Sequence, residues 1–327
     1  MKPSLLVPAL ETILSAGLTA FIWGPPGVGK SSIADQIAQK RSVNFMDLRA
    51  VQLDPVDLRG LPKITPEDRT TWCIPDFLPQ SGKGILFLDE LMSAPRLVQA
   101  AFFQLILDRR LGSYRLPDGW SIVAASNREG DRGIVNRMST PLANRFTHLN
   151  FDVDYEDWAA YALTHDFDVK IIAFLRFRRE LLMDFDPDRE EKAFASPRSW
   201  EFASKLMKKD PAPEILQETL AGAVGAGPAA EFKAFLDLYA SVPNPDTVML
   251  NPKDVPIPDE PSTLYALILA LAKRACANTF GQLMKFGSRL EDEFSMLMVK
   301  SCELQDPDIR NTPTYSEWLS DKGYLFS

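Results

Sequence analysis

The chain has 327 residues, of which 46% are hydrophobic and 24% are charged. This composition is typical of a globular protein, and the length allows one domain core and one or two smaller units. The net charge of −8 at pH 7 disfavours a protein that coats nucleic acid, because such proteins neutralise phosphates with clustered Lys and Arg.

The sequence also argues against a membrane protein and against a site built on cysteine or histidine. Its apolar runs stay below the roughly 20 residues needed to cross a bilayer, and the first residues lack a signal cleavage site, so we expect a cytoplasmic protein without membrane contact. The cysteines, Cys73, Cys276 and Cys302, are scattered, which predicts neither disulfides nor a zinc site. His148 and His165 lack ligands at suitable spacing, so we expect neither a histidine metal site nor a Ser-His-Asp triad.

Apolar runs and helical patterns alternate over the first half of the chain. The predicted elements are a helix at 4–16, a strand at 18–23, a helix at 31–40, a strand at 84–89, a helix at 95–108, a hairpin at 110–120, a strand at 121–126, and a helix end with a strand at 141–151. Residues 44–81 are irregular and rich in proline, which predicts a loop or hairpin excursion outside the core. After about residue 154 helical periodicity dominates, interrupted by a Pro- and Asp-rich linker at 242–261.

The loop between the first strand and the following helix carries a phosphate-binding pattern. Gly24-Pro-Pro-Gly-Val-Gly-Lys-Ser31 fits G-x-x-x-x-G-K-[ST] in the strand-loop-helix context that a P-loop requires, with a plain Gly-rich turn as the alternative. Lys30 would reach the β and γ phosphates, and the Ser31 hydroxyl would hold Mg²⁺. The predicted nucleotide-binding residues are Gly24, Pro25, Pro26, Gly27, Val28, Gly29, Lys30, Ser31 and Ser32.

Asp89 and Glu90 follow the second apolar strand. A carboxylate at the end of a strand can hold Mg²⁺ and its neighbour can polarise the attacking water, so we assign Asp89 to the metal and Glu90 to water activation. The alternative is an acidic cap on the helix that follows.

Four further residues are candidates for contacts to the reacting phosphate. Asn127 ends the third strand, where its amide could orient the lytic water, with a turn-forming role as the alternative. Arg145 and Arg198 could stabilise the developing charge, Arg145 from a neighbouring subunit, with a surface salt bridge as the alternative for each. Arg137 is a second candidate for the trans-acting arginine.

The order of these motifs resembles that of the AAA+ ATPases, and within them the MoxR family. GPPGVGKS resembles Walker A, ILFLDE Walker B, Asn127 sensor 1, ANRF at 143–146 the arginine-finger segment, and SPRS at 196–199 sensor 2. The excursion at 44–81 and the hairpin at 110–120 lie where this clade has its helix-2 and pre-sensor 1 insertions. The resemblance covers about residues 1–210.

The resemblance implies an ATP- and Mg²⁺-dependent ATPase that forms a ring, expected to be a hexamer. It also implies chaperone-like remodelling or maturation of a protein client with a partner that carries a von Willebrand factor A domain. We expect the α/β class, as a P-loop NTPase three-layer αβα core with a parallel sheet, followed by an all-α lid and a helical C-terminal extension. The expected domains are 1–153, 154–241 and 242–327, the last extending beyond the compact lid of the family.

Two alternatives use the same site, namely a nucleotide-gated assembly switch or scaffold with slow hydrolysis, and a DNA-acting motor, against which the acidic composition argues.

Trp72, Phe77 and Tyr114 are candidates for contacting a client at a pore, with anchoring into their own domain as the alternative. The stripe Leu264, Leu267, Ile268 and Leu271 predicts a core face, with a docking face as the alternative.

Overall fold

The computed structural model describes residues 1–128, 130–131, 138, 140–240 and 242–322. The chain divides into two compact units. The first comprises Met1–Asp154 with Phe185–Glu190, and the second comprises Tyr155–Asp184 with Glu191–Ser327. The expected separation of the helical part into a lid and an extension stays a prediction.

The first unit contains a mostly parallel α/β arrangement with two small hairpins. Its strands are β1 Ala20–Trp23, β2 Asn44–Arg49, β3 Leu61–Ile64, β4 Thr70–Cys73, β5 Gly84–Asp89, β6 Arg110–Leu111, β7 Tyr114–Arg115, β8 Trp120–Ser126 and β9 Thr147–Asn150. Its helices are α1 Pro3–Ser15, α2 Lys30–Lys40, α3 Pro55–Arg59, α4 Arg96–Asp108 and α5 Thr140–Ala143. Within the described residues, one parallel five-stranded sheet has the order β2-β5-β8-β1-β9, while β3 pairs with β4 and β6 with β7.

Helices cover both faces of this sheet, which explains why its central strands are apolar at nearly every position. Leu86 and Leu88 of β5 pack in one core cluster with Phe102 of α4. Ile85 and Phe87 point to the opposite face, since side chains alternate along a strand, and α2 contacts β5 and β2 there. The predicted α/β class with a P-loop NTPase-like three-layer core is confirmed.

One part of the predicted excursion at 44–81 is wrong. Residues Asn44–Arg49 form β2, the edge strand of the core sheet, paired in parallel with β5. An edge strand lacks a continuous apolar run, and here exposed Asn44, Asp47 and Arg49 interrupt the pattern. The hairpins predicted within 44–81 and 110–120 are confirmed as β3–β4 and β6–β7.

Among its described residues, the second unit contains helices and one isolated antiparallel bridge between Asp184 and Ala195. Its helices are α6 Tyr155–Thr164, α7 Val169–Phe177, α8 Pro197–Met207, α9 Pro213–Val224, α10 Ala226–Tyr239, α11 Pro245–Leu250, α12 Pro261–Ala272, α13 Phe280–Gly287, α14 Asp292–Gln305 and α15 Pro313–Lys322. Fully buried Trp200 packs edge-on against Phe232. A second cluster contains the predicted stripe from Leu264 to Leu271, so its core role is confirmed. None of the helices in the described part of the chain combines the length and apolar character that a membrane crossing requires.

A substitution at Gly84 would test how closely the strands of the sheet pack. A Cβ atom at this position would lie 2.5 Å from the Asn44 carbonyl oxygen and 2.6 Å from the Trp120 ring, so Gly84→Ala forces β2, β5 and β8 to shift. We expect a loss of at least about 2 kcal/mol in the free energy of unfolding, measured by urea titration with tryptophan fluorescence.

The matched control is Gly222→Ala in α9, where an added Cβ meets no atom within 4 Å. Alanine is the better helix former, so this variant should be neutral or stabilised by up to about 1 kcal/mol. Equal urea midpoints for the two variants would contradict the packing described at Gly84.

Candidate nucleotide-binding site

The loop from Gly24 to Gly29 joins β1 to α2 and has the backbone geometry of a phosphate cradle. Gly27 and Gly29 have φ angles of +79° and +96°, in the left-handed region that glycine adopts freely. Gly29 is also the N-cap of α2 and offers no side-chain hydrogen bond to the first turn. No cap side chain therefore competes with an anion for the N–H groups at this helix N-terminus.

The first glycine of the loop is fixed by close packing. A Cβ atom on Gly24 would lie 3.1 Å from the Phe151 carbonyl oxygen. The Gly24 N–H donates to the Ser126 carbonyl at 3.3 Å, and the Phe151 N–H donates to the Trp23 carbonyl at 2.7 Å. The start of the loop is thus held between the ends of β8 and β9.

Lys30 and Asn127 meet at this edge of the sheet. The Lys30 Nζ donates to Asn127 Oδ1 at 2.9 Å, to the Gly24 carbonyl at 2.8 Å and to the Pro25 carbonyl at 3.0 Å. A phosphate oxygen that binds Lys30 has to compete with these three oxygens, since an ammonium group has only three donors.

Asp89 and Glu90 form the turn at the end of β5. Asp89 is half-buried, and its Oδ1 accepts the Glu90 N–H at 3.0 Å. Glu90 has a φ angle of +53°, an uncommon conformation for a residue other than glycine and one that recurs at functional sites. Glu90 is the N-cap residue of the 3₁₀ turn at Leu91–Ser93 but makes no side-chain cap bond to it, and the N-cap of α4 is Pro95.

Sequence reasoning missed two charged residues beside Asp89. Arg49 is the register partner of Asp89 in the β2–β5 pair, and Asp47 precedes it by one strand period, so all three side chains point to one face. Although Asp47 is exposed, partial desolvation and then the negative charge of Asp89 raise the pKa of its carboxyl. Strict alternation is limited to Met46-Asp-Leu-Arg49, which is too short to predict a strand by itself.

The candidate arginines lie in different parts of the molecule. Arg145 is exposed in the turn after α5, where its N–H donates to the Leu142 carbonyl at 2.9 Å. Arg198 is the second residue of α8 in the helical unit and lies between Ser196 and Ser199, which form the capping box of this helix. Arg137 lies outside the described residues.

His148 connects the strand before the P-loop to the turn before Arg145. The Trp23 Nε1–H donates to His148 Nδ1 at 2.9 Å, and His148 Nε2–H donates to the Ala143 carbonyl at 2.8 Å. These two bonds assign the tautomer that carries its proton on Nε2. Ala143 also accepts the Phe146 N–H at 3.3 Å, so the histidine supports the turn that contains Arg145.

The aromatic residues considered for client contact differ in exposure. Tyr114 is 4% exposed, its hydroxyl donates to the Pro79 carbonyl at 2.5 Å, and burial raises its pKa to about 12. Its prediction as a pore contact is wrong, since it anchors the β6–β7 hairpin into its own unit. Phe77 packs against the core, whereas Trp72 on β4 is 39% exposed.

A protein-family model matches part of this chain. Residues 19–146 match the family model of the AAA domain, dynein-related subfamily. That range is less than half of the chain and includes the P-loop, Asp89-Glu90, Asn127 and Arg145. A search of curated proteins finds no match.

Solved structures show only distant likeness. The Holliday junction branch migration motor RuvB of Thermotoga maritima has 19% identity and a TM-score of 0.40 over 72% of this chain and 68% of its own. A point variant of the same motor has 18% identity and a TM-score of 0.40 over 85% and 83%. A candidate ATPase of Cytophaga hutchinsonii has 16% identity and a TM-score of 0.38 over 66% and 61%. No functional argument follows from these values, and the family match alone assigns an AAA domain to residues 19–146.

The contact between Lys30 and Asn127 generates a prediction about nucleotide affinity. Asn127→Asp places a carboxylate 2.9 Å from the Lys30 ammonium group, which strengthens its hold on Lys30 and repels phosphate. We expect the Kd of a fluorescent ATP analogue to rise at least about tenfold, which corresponds to about 1.4 kcal/mol.

Asn127→Ala is the matched control, since it removes the same bond without adding charge. Its Kd should stay within about threefold of the wild-type value. Equal affinities for the two variants would mean that the Lys30–Asn127 pair lies away from the phosphates.

Proposed function

We propose that this protein hydrolyses ATP with Mg²⁺ and uses the reaction to remodel or mature a protein client. The observation that carries the proposal is the meeting of Lys30 and Asn127 at a P-loop whose sheet edge also holds Asp89 and Glu90. The adenine preference rests on the likeness to MoxR ATPases.

Each residue has a role that its chemistry supports. The loop from Gly24 to Ser32 cradles the phosphates with backbone N–H groups, and Lys30 neutralises the β and γ phosphates. The Ser31 hydroxyl and the Asp89 carboxylate suit Mg²⁺, which takes few protein ligands and completes its shell with phosphate and water oxygens. Glu90 activates water and Asn127 orients it.

We further propose that the protein acts as a homo-oligomeric ring, a hexamer by its likeness to MoxR ATPases, in the cytoplasm. The exposure of Arg145 supports a role as a finger that completes the site of a neighbouring subunit. Arg137 remains the second candidate for that finger. For Arg198 we propose the catalytic role of sensor 2, by the same likeness.

The β3–β4 hairpin is the element we propose to contact the client, in cooperation with a von Willebrand factor A-domain partner. Leu61 is 69% exposed, Ile64 73% and Trp72 39%. Exposed apolar side chains on one hairpin suit a partly folded protein better than a nucleic acid backbone, which needs clustered cations.

Steady-state ATP turnover tests the chemistry. Lys30→Ala should abolish nucleotide binding and lower turnover at least about 100-fold, because it removes a preorganised positive charge. Glu90→Gln should keep binding and lose about 100-fold or more in turnover, because an amide cannot accept the proton of water. Turnover at the wild-type rate in Glu90→Gln would contradict the assignment of Glu90 to water activation.

Turnover per subunit at increasing protein concentration tests the ring. The rate should rise with concentration in the wild type and fall at least about tenfold in Arg145→Ala with assembly intact, because the finger acts between subunits. Wild-type protein mixed with the double variant Lys30→Ala/Arg145→Ala should lose more activity than the same mixture with Lys30→Ala alone.

Equal losses in the two mixtures would assign the finger to another residue, with Arg137→Ala tested next. Turnover that stays slow with partner and client present would favour the nucleotide-gated switch. Salt-sensitive stimulation by DNA would favour a motor on DNA and overturn the protein client.

A further inference from the structure

Arg128, the residue after Asn127, makes a set of contacts that the proposed catalytic roles do not use. Its guanidinium Nη2 donates to the Phe151 carbonyl at 2.9 Å and to the Asp152 carboxylate. Its backbone N–H donates to Asp131 Oδ2 at 2.8 Å, and its carbonyl accepts the Asp131 N–H at 3.0 Å. Both the main chain and the side chain of Arg128 are thus held.

These contacts join the two strand ends that flank the P-loop. Strands β8 and β9 flank β1 in the sheet. Asn127 and Arg128 follow β8 and Phe151 follows β9, and the P-loop leaves β1 between them. Phe151 is also the residue that packs against Gly24, at 3.1 Å from the position of a Cβ atom. The Arg128 side chain therefore links the segment that contains Asn127 to Phe151, the residue that packs against the first glycine of the P-loop.

The chemistry of arginine suits this link. A guanidinium is planar and can donate to a carbonyl and a carboxylate at once, whereas an ammonium group is a flexible point charge. The Asp152 carboxylate neutralises the guanidinium and also accepts a hydrogen bond from the Met1 amino group at 2.5 Å. Because Asp152 neutralises the Arg128 guanidinium within the first unit, we do not assign Arg128 the phosphate-binding role that we propose for Lys30.

We infer that Arg128 is a positioning residue for ATP hydrolysis, which sets Asn127 relative to the P-loop by holding Phe151 and Asp152. The inference rests on the proposed ATPase function, and Arg128 acts through Asn127 without touching the nucleotide. Loss of the link frees Asn127 to sample other orientations, which slows the chemical step more than it weakens binding.

A double-mutant cycle on turnover tests the inference. Arg128→Ala should lower kcat about tenfold, with the KM for ATP within about threefold of wild type. The double variant Arg128→Ala/Asn127→Ala should be no slower than Asn127→Ala alone, because both changes remove one function. Asp152→Ala should resemble Arg128→Ala.

Arg128→Lys keeps the charge and is the variant to use if Arg128→Ala does not fold. It should have an intermediate kcat and the same lack of additivity with Asn127→Ala. Arg115→Ala is the control, because Arg115 is an exposed arginine of β7 whose carboxylate neighbour, Asp118, is 3.9 Å away, and its kcat should equal that of the wild type.

Three results would overturn the inference. Losses that multiply in the double variants would mean that Arg128 acts independently of Asn127. A lower urea midpoint and a higher KM at unchanged kcat would mean a structural role only. A wild type without ATP turnover would remove the proposed function and this inference together, whereas an active wild type with multiplying losses would remove only the role of Arg128.

Discussion

The candidate site depends on the parallel pairing of β5, β8 and β1, which brings chain segments that are far apart in sequence to one edge of the sheet. Each of these strands ends in a residue or loop for which we propose a role in phosphate or metal binding, and parallel pairing aligns those ends. Lys30 and Asn127 are 97 residues apart in sequence and yet share a hydrogen bond of 2.9 Å. In the observed register Leu88 of β5 pairs with Ala124 of β8, and Trp23 of β1 pairs with Ser126 of β8, so the spacing of these groups follows from the strand pairing.

The same packing decides how rigid the site is. The P-loop begins at a glycine that has Phe151 on one side and the Ser126 carbonyl on the other, so a shift of either neighbouring strand moves the phosphate cradle. Arg128 adds a second connection between these strands, and His148 extends the connection to the turn that contains Arg145. Local backbone freedom at Gly27 and Gly29 is thus confined to the segment where N–H groups have to turn toward an anion.

Much of this arrangement could be predicted from the sequence because several physical signals agree. The apolar strand, the glycines and the helix after Lys30 reinforce one another, and a buried strand ending in Asp89 carries its own pattern. Edge strand β2 could not be separated from the irregular segment that follows, since half of its residues face solvent. Tyr114 and Trp72 both lie on hairpins, and only the three-dimensional packing distinguishes the buried anchor from the exposed ring. The contacts of Arg128 depend on strand order, which no local pattern encodes.

The charges at this edge explain why the site suits both a polyphosphate and a divalent cation. Lys30 lies at the P-loop, whereas Asp47 and Asp89 lie on the neighbouring strands β2 and β5. Partial desolvation, and after it the repulsion between the two carboxylates, raise the pKa of Asp47. Arg49, in register with Asp89, offsets part of this repulsion. A divalent cation bound at Asp89 would offset more of it, because its two positive charges interact with both carboxylates. If Mg²⁺ binds at Asp89 as proposed, we therefore expect metal binding to lower the pKa of Asp47.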